Sequence, residues 1–133
     1  MKDIVWDKVL SVGNDEIDED HRRLTELFNI LNHSVTKEED PEYLAAVLEE
    51  LINCTVWHFS HEERLMVKYN YPDLADHRDE HQALIKSARK FQDKMLQSGM
   101  QVDTKDLEFL ERWLTGHILS TDMKLGTYLA ETM

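Results

Sequence analysis

Residues 51–67 read LINCTVWHFSHEERLMV, an uninterrupted stretch without glycine or proline. Thr55, His58, Glu62 and Leu65 fall three or four positions apart along it, which is the spacing of one helix face. The apolar stripe of an amphipathic helix therefore carries an imidazole and a carboxylate. The stretch predicts a long helix whose buried side presents His58 and Glu62 to a helical core.

The rest of the chain has few breaks, with 4 Gly and 2 Pro in 133 residues. Asp40 and Pro41 suit the N-cap and first position of the helix that contains this stretch. Pro72 disfavours helical geometry just before it and ends that helix near Asn70. The predicted helices span about 18–36, 41–70, 73–98 and 104–129. We predict an all-α fold, an up-down-up-down four-helix bundle formed by a single domain over residues 1–133.

An N-terminal arm, residues 1–16, precedes the predicted bundle. Gly13 and Asn14 form a turn signal near its end. The arm is too apolar for a disordered tail, since it contains Ile4, Val5, Trp6, Val9, Leu10 and Val12. We expect an ordered arm that packs on the bundle.

The composition excludes several classes of partner. A net charge of −12 disfavours nucleic acid and anionic membrane surfaces, because both attract basic patches. No apolar run of about 18 residues is present to span a membrane, and the N-terminus lacks the pattern of a signal peptide. Cys54 is the single cysteine and cannot form an internal disulfide, which fits a reducing cytoplasm. Because the bundle fills the chain, we expect no attached signalling or enzymatic domain.

Histidines recur on the predicted buried faces of all four helices. His77 and His81 repeat the four-residue spacing on the third helix, while His21 and His117 lie in the apolar stripes of the first and fourth. A buried polar group without a partner costs about 1–3 kcal/mol. Five imidazoles and a carboxylate that converge in one small core therefore predict a metal centre.

Spacing alone does not supply a second carboxylate. Asp122 follows His117 by five residues, about 140° around an α-helix at roughly 100° per residue. Periodicity would sooner pair His117 with Thr121. A role for Asp122 needs other support.

Four segments in order resemble the hemerythrin family, in particular the single-domain bacteriohemerythrins, over essentially the whole chain. They are Val12-Gly13 through Glu16-Ile17-Asp18 to Asp20-His21, then His58-Phe59-x-x-Glu62-Glu63, then Tyr71-Pro72 with His77-x-x-x-His81, and finally Trp113-Leu114-x-x-His117-Ile118-x-x-x-Asp122. Each motif is modest alone, but all four at these separations form a specific signal.

The resemblance implies a centre of two non-haem iron ions. It gives one iron His21 and His58, and the other iron His77, His81 and His117. Glu62 and Asp122 would bridge the two ions together with an oxo or hydroxo species. Imidazole combined with carboxylate suits iron better than calcium or magnesium, which prefer shells made only of oxygen.

This set of ligands favours holding dioxygen over cleaving it. Three imidazoles on one ion and two on the other leave one position open, which is where dioxygen would bind. Five neutral imidazoles stabilise high-valent iron less well than a carboxylate-rich shell. We expect reversible dioxygen binding, for storage, delivery or sensing, and no enzymatic function. The lack of a second domain favours storage or delivery.

Two alternatives involve other functions. The first is a di-iron enzyme, either a peroxidase or oxidase or a detoxifier of nitric oxide or peroxide. The second is iron storage, which would require more than two labile ions per chain. We favour a monomer, and the recipient of any oxygen is not encoded in a recognisable form.

An apolar pocket is expected around the open position. Its predicted walls are Phe28, Phe59, Trp113, Leu114 and Ile118. Leu114 lies one turn before His117, and the resemblance singles it out as shaping the pocket.

Four residues near the predicted ligands are open to other interpretations. His61 is expected beside the site on the helix surface, and His33, about 120° around the helix from His21, is expected at the solvent or the rim. Cys54 is expected to pack in the core like a small apolar residue. Glu63 either orients a ligand histidine or is a solvated charge.

Overall fold

The computed structural model describes residues 3–4, 11–117 and 121–132. The described residues contain five helices and no strand. The helices are α1 (Asp15–Thr36), α2 (Pro41–Lys68), α3 (Leu74–Gln97), α4 (Thr104–His117) and α5 (Met123–Thr132). The all-α prediction is confirmed.

Helix α1 begins at Asp15, three residues before the predicted start, because Asn14 caps it. The Asn14 side chain accepts a hydrogen bond of 3.0 Å from the backbone N–H of Ile17, and acidic residues in the first turn complement the positive end of the helix dipole. At α2, Asp40 is the N-cap and accepts from the N–H of Glu42, as the sequence predicts.

The predicted fourth helix differs most from the structure. Helix α4 ends at His117, α5 begins at Met123, and between them Thr121 and Asp122 lie in a π-helical turn. A π-helix bonds residue i to i+5, so residues five apart lie one above the other. Asp122 lies in this turn, and its Oδ1 is 2.9 Å from Nε2 of His117.

Helix α2 packs against both α1 and α3, and α1 also packs against α4. The shared core is apolar and includes Phe28, Leu48, Leu110 and Leu125, each with at most 1% of its surface exposed. No helix within the described ranges is both long and apolar enough to cross a membrane.

Parts of the predicted arm contact the helices. The backbone of Ile4 exchanges two hydrogen bonds with the Asn29 side chain, at 2.8 and 2.9 Å. The N–H of Val12 donates to Asp18 at 2.8 Å. The other apolar arm residues of the prediction, Val5, Trp6, Val9 and Leu10, lie outside the described residues.

We expect Gly126→Ala to destabilise the protein by about 1–3 kcal/mol, the usual cost of overpacking a core. A Cβ atom at Gly126 would lie 1.9 Å from the carbonyl oxygen of Val12 and 2.7 Å from its Cβ atom. Urea denaturation measures the change in the free energy of unfolding.

Gly116→Ala is the matched control, because a Cβ atom there meets nothing within 4 Å. Alanine suits a helix better than glycine by roughly 1 kcal/mol, so this variant should be slightly stabilised. Equal stabilisation of both variants would show that Val12 does not pack against α5.

Candidate metal centre

The structure brings all seven predicted ligands into two overlapping groups. In each group the ligand atoms lie within 4.8 Å of one another, and every member is buried. One group contains His21, His58, Glu62 and Asp122, and the other contains Glu62, His77, His81, His117 and Asp122. Glu62 and Asp122 belong to both groups, which is the position of bridging ligands.

Each helix contributes through local spacing. Helix α1 supplies His21, and α4 supplies His117 as its last residue. The four-residue spacing of His58 and Glu62 on α2, and of His77 and His81 on α3, turns each pair towards the same interior. The site therefore needs four helices and the π-helical turn in register.

Asp122 divides its two oxygens between the two groups. Its Oδ2 lies 2.8 Å from Nε2 of His21. Its Oδ1 lies 3.1 Å from Nε2 of His77 and 2.9 Å from Nε2 of His117. This division matches a carboxylate that binds two cations, one through each oxygen.

Glu62 faces the same interior, and within the described part of the chain its carboxylate has no hydrogen bond. Its Oε1 lies 3.2 Å from Nε2 of His58 and 3.1 Å from Nε2 of His81, but neither carboxylate oxygen forms a hydrogen bond of proper geometry. The Nε2 atoms of His81 and His117 are likewise buried without such a bond. Buried polar atoms normally have partners, so atoms that converge at close range without bonding fit ligands of a metal ion.

Acidic side chains orient three of the histidines through Nδ1, the ring nitrogen that faces away from the centre. Nδ1 of His58 lies 2.9 Å from Asp20, Nδ1 of His81 lies 3.2 Å from Glu63, and Nδ1 of His117 lies 3.4 Å from Glu80. A carboxylate at Nδ1 keeps the proton there and leaves the Nε2 lone pair free for a metal. The arrangement fits neutral imidazole ligands that all bind through Nε2.

Two of these outer carboxylates were missed by sequence reasoning. Asp20 appears in the matched motif next to His21, but its side chain reaches His58 on another helix. Glu80 bonds with Thr121 as well as with His117. Their roles depend on which helices face each other, and spacing within one helix carries no signal for that. For Glu63, the structure supports the orienting role over the solvated one.

The remaining residues lie outside both groups. Nδ1 of His61 shares Asp20 with His58, at 2.5 Å, so it lies behind a ligand and not among the ligands. His33 is largely exposed and pairs with Asp3 at 2.6 Å. Cys54 is partly buried and packs against the apolar core.

The charges of the metal-free centre are strongly coupled. Burial disfavours ionised carboxyl groups, yet His117 and other imidazoles hold the pKa of Asp122 well below its ordinary value. The pKa of Glu62 is also lowered. Burial opposes a charged His58, but Glu62, Asp122 and Asp20 together raise its pKa well above the ordinary value, and the pKa of His117 is raised in the same way. Without metal, protons on histidine balance the two carboxylates.

A small apolar cavity adjoins the centre. It leaves about 10 Å³ in which the centre of a water-sized molecule can move, roughly the room for one such molecule. Its walls are His21, Leu24, Thr55, Phe59, Leu84, Trp113, Leu114 and His117. The structure thus places three of the predicted wall residues, Phe59, Trp113 and Leu114, at this cavity.

Of the other two predicted wall residues, Phe28 is not among the residues that line the cavity. Phe28 is fully buried but lies two turns beyond His21, roughly 10 Å along α1. Leu24, which lies one turn from His21, lines the cavity where Phe28 was expected. Ile118 lies outside the described residues.

Comparison with known proteins gives consistent matches. The sequence model of the family described as "Hemerythrin HHE cation binding domain" matches residues 12–129. The chain is 32% identical over 122 residues to a hemerythrin-like protein of Naegleria gruberi, covering 90% of this chain and 87% of that protein. It is 33% identical over 119 residues to a bacteriohemerythrin of Stenotrophomonas maltophilia, covering 90% and 76%.

The same similarity extends to a myohemerythrin and to solved structures. The myohemerythrin of Riftia pachyptila is 31% identical over 120 residues, covering 90% of this chain and 88% of that protein. A crystal structure of wild-type hemerythrin matches with a TM-score of 0.84 at 26% identity, covering 96% of this chain and 98% of that chain.

Binding of ferrous iron to the metal-free protein at pH 7 should release at least two protons per chain. The raised pKa values of His58 and His117 leave both protonated in the metal-free centre, and a metal ligand must be neutral. An indicator dye under anaerobic conditions measures the release. As pH rises above both pKa values, these two protons are already lost and the release should fall. Metal binding without proton release at pH 7 would contradict this charge assignment.

Proposed function

The chain belongs to the hemerythrin family, whose proteins bind oxygen at a non-haem di-iron centre, and we propose that it binds dioxygen reversibly, for storage or delivery, or for sensing. The observation that carries the proposal is the apolar cavity placed directly against the histidine-rich centre. The cavity has room for roughly one water-sized molecule.

We assign His21 and His58 to one iron, and His77, His81 and His117 to the other. Glu62 and Asp122 would bridge the two ions, together with an oxo or hydroxo species. The two overlapping groups of buried ligand atoms support this assignment. When bound, a pair of ferrous ions would supply an open coordination position, together with electrons that dioxygen can take up and give back. The group with two histidines would be the one short of a ligand, and the cavity is lined by one histidine of each group, His21 and His117.

The side chains around the cavity keep water and hydrogen-bond donors away. The Thr55 hydroxyl is used within its own helix, donating to the carbonyl of Leu51 at 2.8 Å. The Trp113 indole N–H donates to the carbonyl of Leu84 at 3.2 Å. These two polar groups thus have partners elsewhere, so the part of the wall away from His21 and His117 presents apolar surface to the guest. Such a lining favours release of intact dioxygen over its conversion to peroxide.

The sequence and the fold also support proposals on domain organisation, partners and location. The family match over residues 12–129 supports a single domain, and the short connections between α1, α2, α3 and α4 support the up-down-up-down order. A net charge of −12 supports a monomer that binds neither nucleic acid nor membrane. The lone Cys54 supports a cytoplasmic location.

The diferrous protein should change its visible absorption on mixing with dioxygen and recover its first spectrum under vacuum, through repeated cycles. The physical reason is an open position enclosed by apolar walls. Stopped-flow spectroscopy and gas exchange measure both directions. Irreversible conversion to the oxidised form would contradict reversible binding, and many turnovers with an added reductant would favour the enzymatic alternative.

Leu114→Ala should accelerate oxidation of the oxygenated protein several-fold, because the shortened side chain opens the cavity to water. Leu107→Ala is the matched control, since Leu107 is also buried in α4 but is not a wall residue. Both variants should lose about 2–5 kcal/mol of stability. Equal acceleration in the two variants would mean that general loosening, and not the cavity wall, controls the rate.

A further inference from the structure

The ligand histidines differ in whether a carboxylate lies at their Nδ1 atom. His58, His81 and His117 each have a carboxylate at Nδ1. His77 is only 2% exposed, yet its Nδ1 has no hydrogen-bond partner among the residues that the structure describes. Since an outer carboxylate fixes the ring orientation, His77 is the least restrained of these four ligands.

His77 also lines a polar cleft that reaches the surface. Its Nε2 is turned towards Asp122, so Nδ1 lies on the side of the ring away from the centre. The cleft has a volume of about 310 Å³ and is lined by the carboxylates of Asp73, Asp76 and Glu80 and by a single cation, Lys124. The cleft is therefore net negative.

The cleft and the apolar cavity lie on opposite sides of the centre along the helix axes. The cleft residues Asp73 and Asp76 precede His77 on α3, whereas the cavity residue Leu84 follows His81. A hydrated cation would lose its water without compensation in the apolar cavity. Carboxylates, in contrast, attract the ion and replace its water ligands.

We propose that this cleft is the port through which a hydrated divalent cation, ferrous iron, reaches the buried centre, with His77 as the first ligand to receive it. The proposal rests on the di-iron centre of the proposed function. All seven ligands are buried, so the ion needs a route. The cleft joins acidic surface groups to the one ligand among His58, His77, His81 and His117 that has a free outer nitrogen.

The test is the rate of metal loading into the metal-free protein. Ferrous iron is mixed anaerobically at low ionic strength, where charges are least screened, and Co²⁺, which does not oxidise under these conditions, is the second probe. Asp76→Asn should slow loading on the order of three- to tenfold, as expected for loss of a steering charge. Lys124→Gln should accelerate it by a similar factor, because Lys124 pairs with Asp73 at 2.5 Å and offsets its charge.

Asp79→Asn is the matched control, because Asp79 is exposed on the same helix but lies outside the cleft. It changes the net charge as much as Asp76→Asn does and should leave the rate unchanged. If both Asn variants slow loading equally, the overall charge of the protein and not the cleft controls the rate, and the proposed port is wrong. Unchanged loading rates in all three variants would also contradict the port. The final metal content tests the di-iron centre separately from the port. Two ions per chain in every variant at the end of loading support the centre, whatever the loading rates show.

Discussion

Two carboxylates buried side by side are the constraint on which the rest of this structure depends. Glu62 and Asp122 have no exposed surface, and burial together with their mutual repulsion opposes two negative charges at this place. They remain ionised because imidazoles surround them. A bundle that brings such a pair together is stable only with compensating positive charge, which protons supply in the metal-free protein and metal ions supply in the loaded one.

The scaffold around that pair explains why the centre holds its ligands in one arrangement. The outer carboxylates of Asp20, Glu63 and Glu80 fix three imidazole rings from behind. On one side of the centre the walls are apolar and their polar atoms have partners, and on the other side a polar cleft opens. The two sides suit two different species, a neutral diatomic gas and a hydrated cation.

Much of this organisation could be predicted from the sequence, because residues on the buried face of a helix recur every three or four positions. His58 with Glu62, and His77 with His81, follow from periodicity of three to four residues. Asp122 could not be found in this way, since a π-helical turn changes the register there. Asp20 and Glu80 were missed because they act across helix pairs. Phe28 is not among the residues that line the cavity, and an apolar stripe does not tell at which level along the helix a side chain meets the site.

The central claim is that Glu62 and Asp122 together hold two metal ions among five histidines. The most direct measurement is iron content per chain, with an optical spectrum, for the wild type, for Glu62→Ala and for Glu50→Ala on the exposed face of α2. We expect two irons in the wild type and in Glu50→Ala, and loss of iron or an altered spectrum in Glu62→Ala. Two irons with an unchanged spectrum in Glu62→Ala would contradict it.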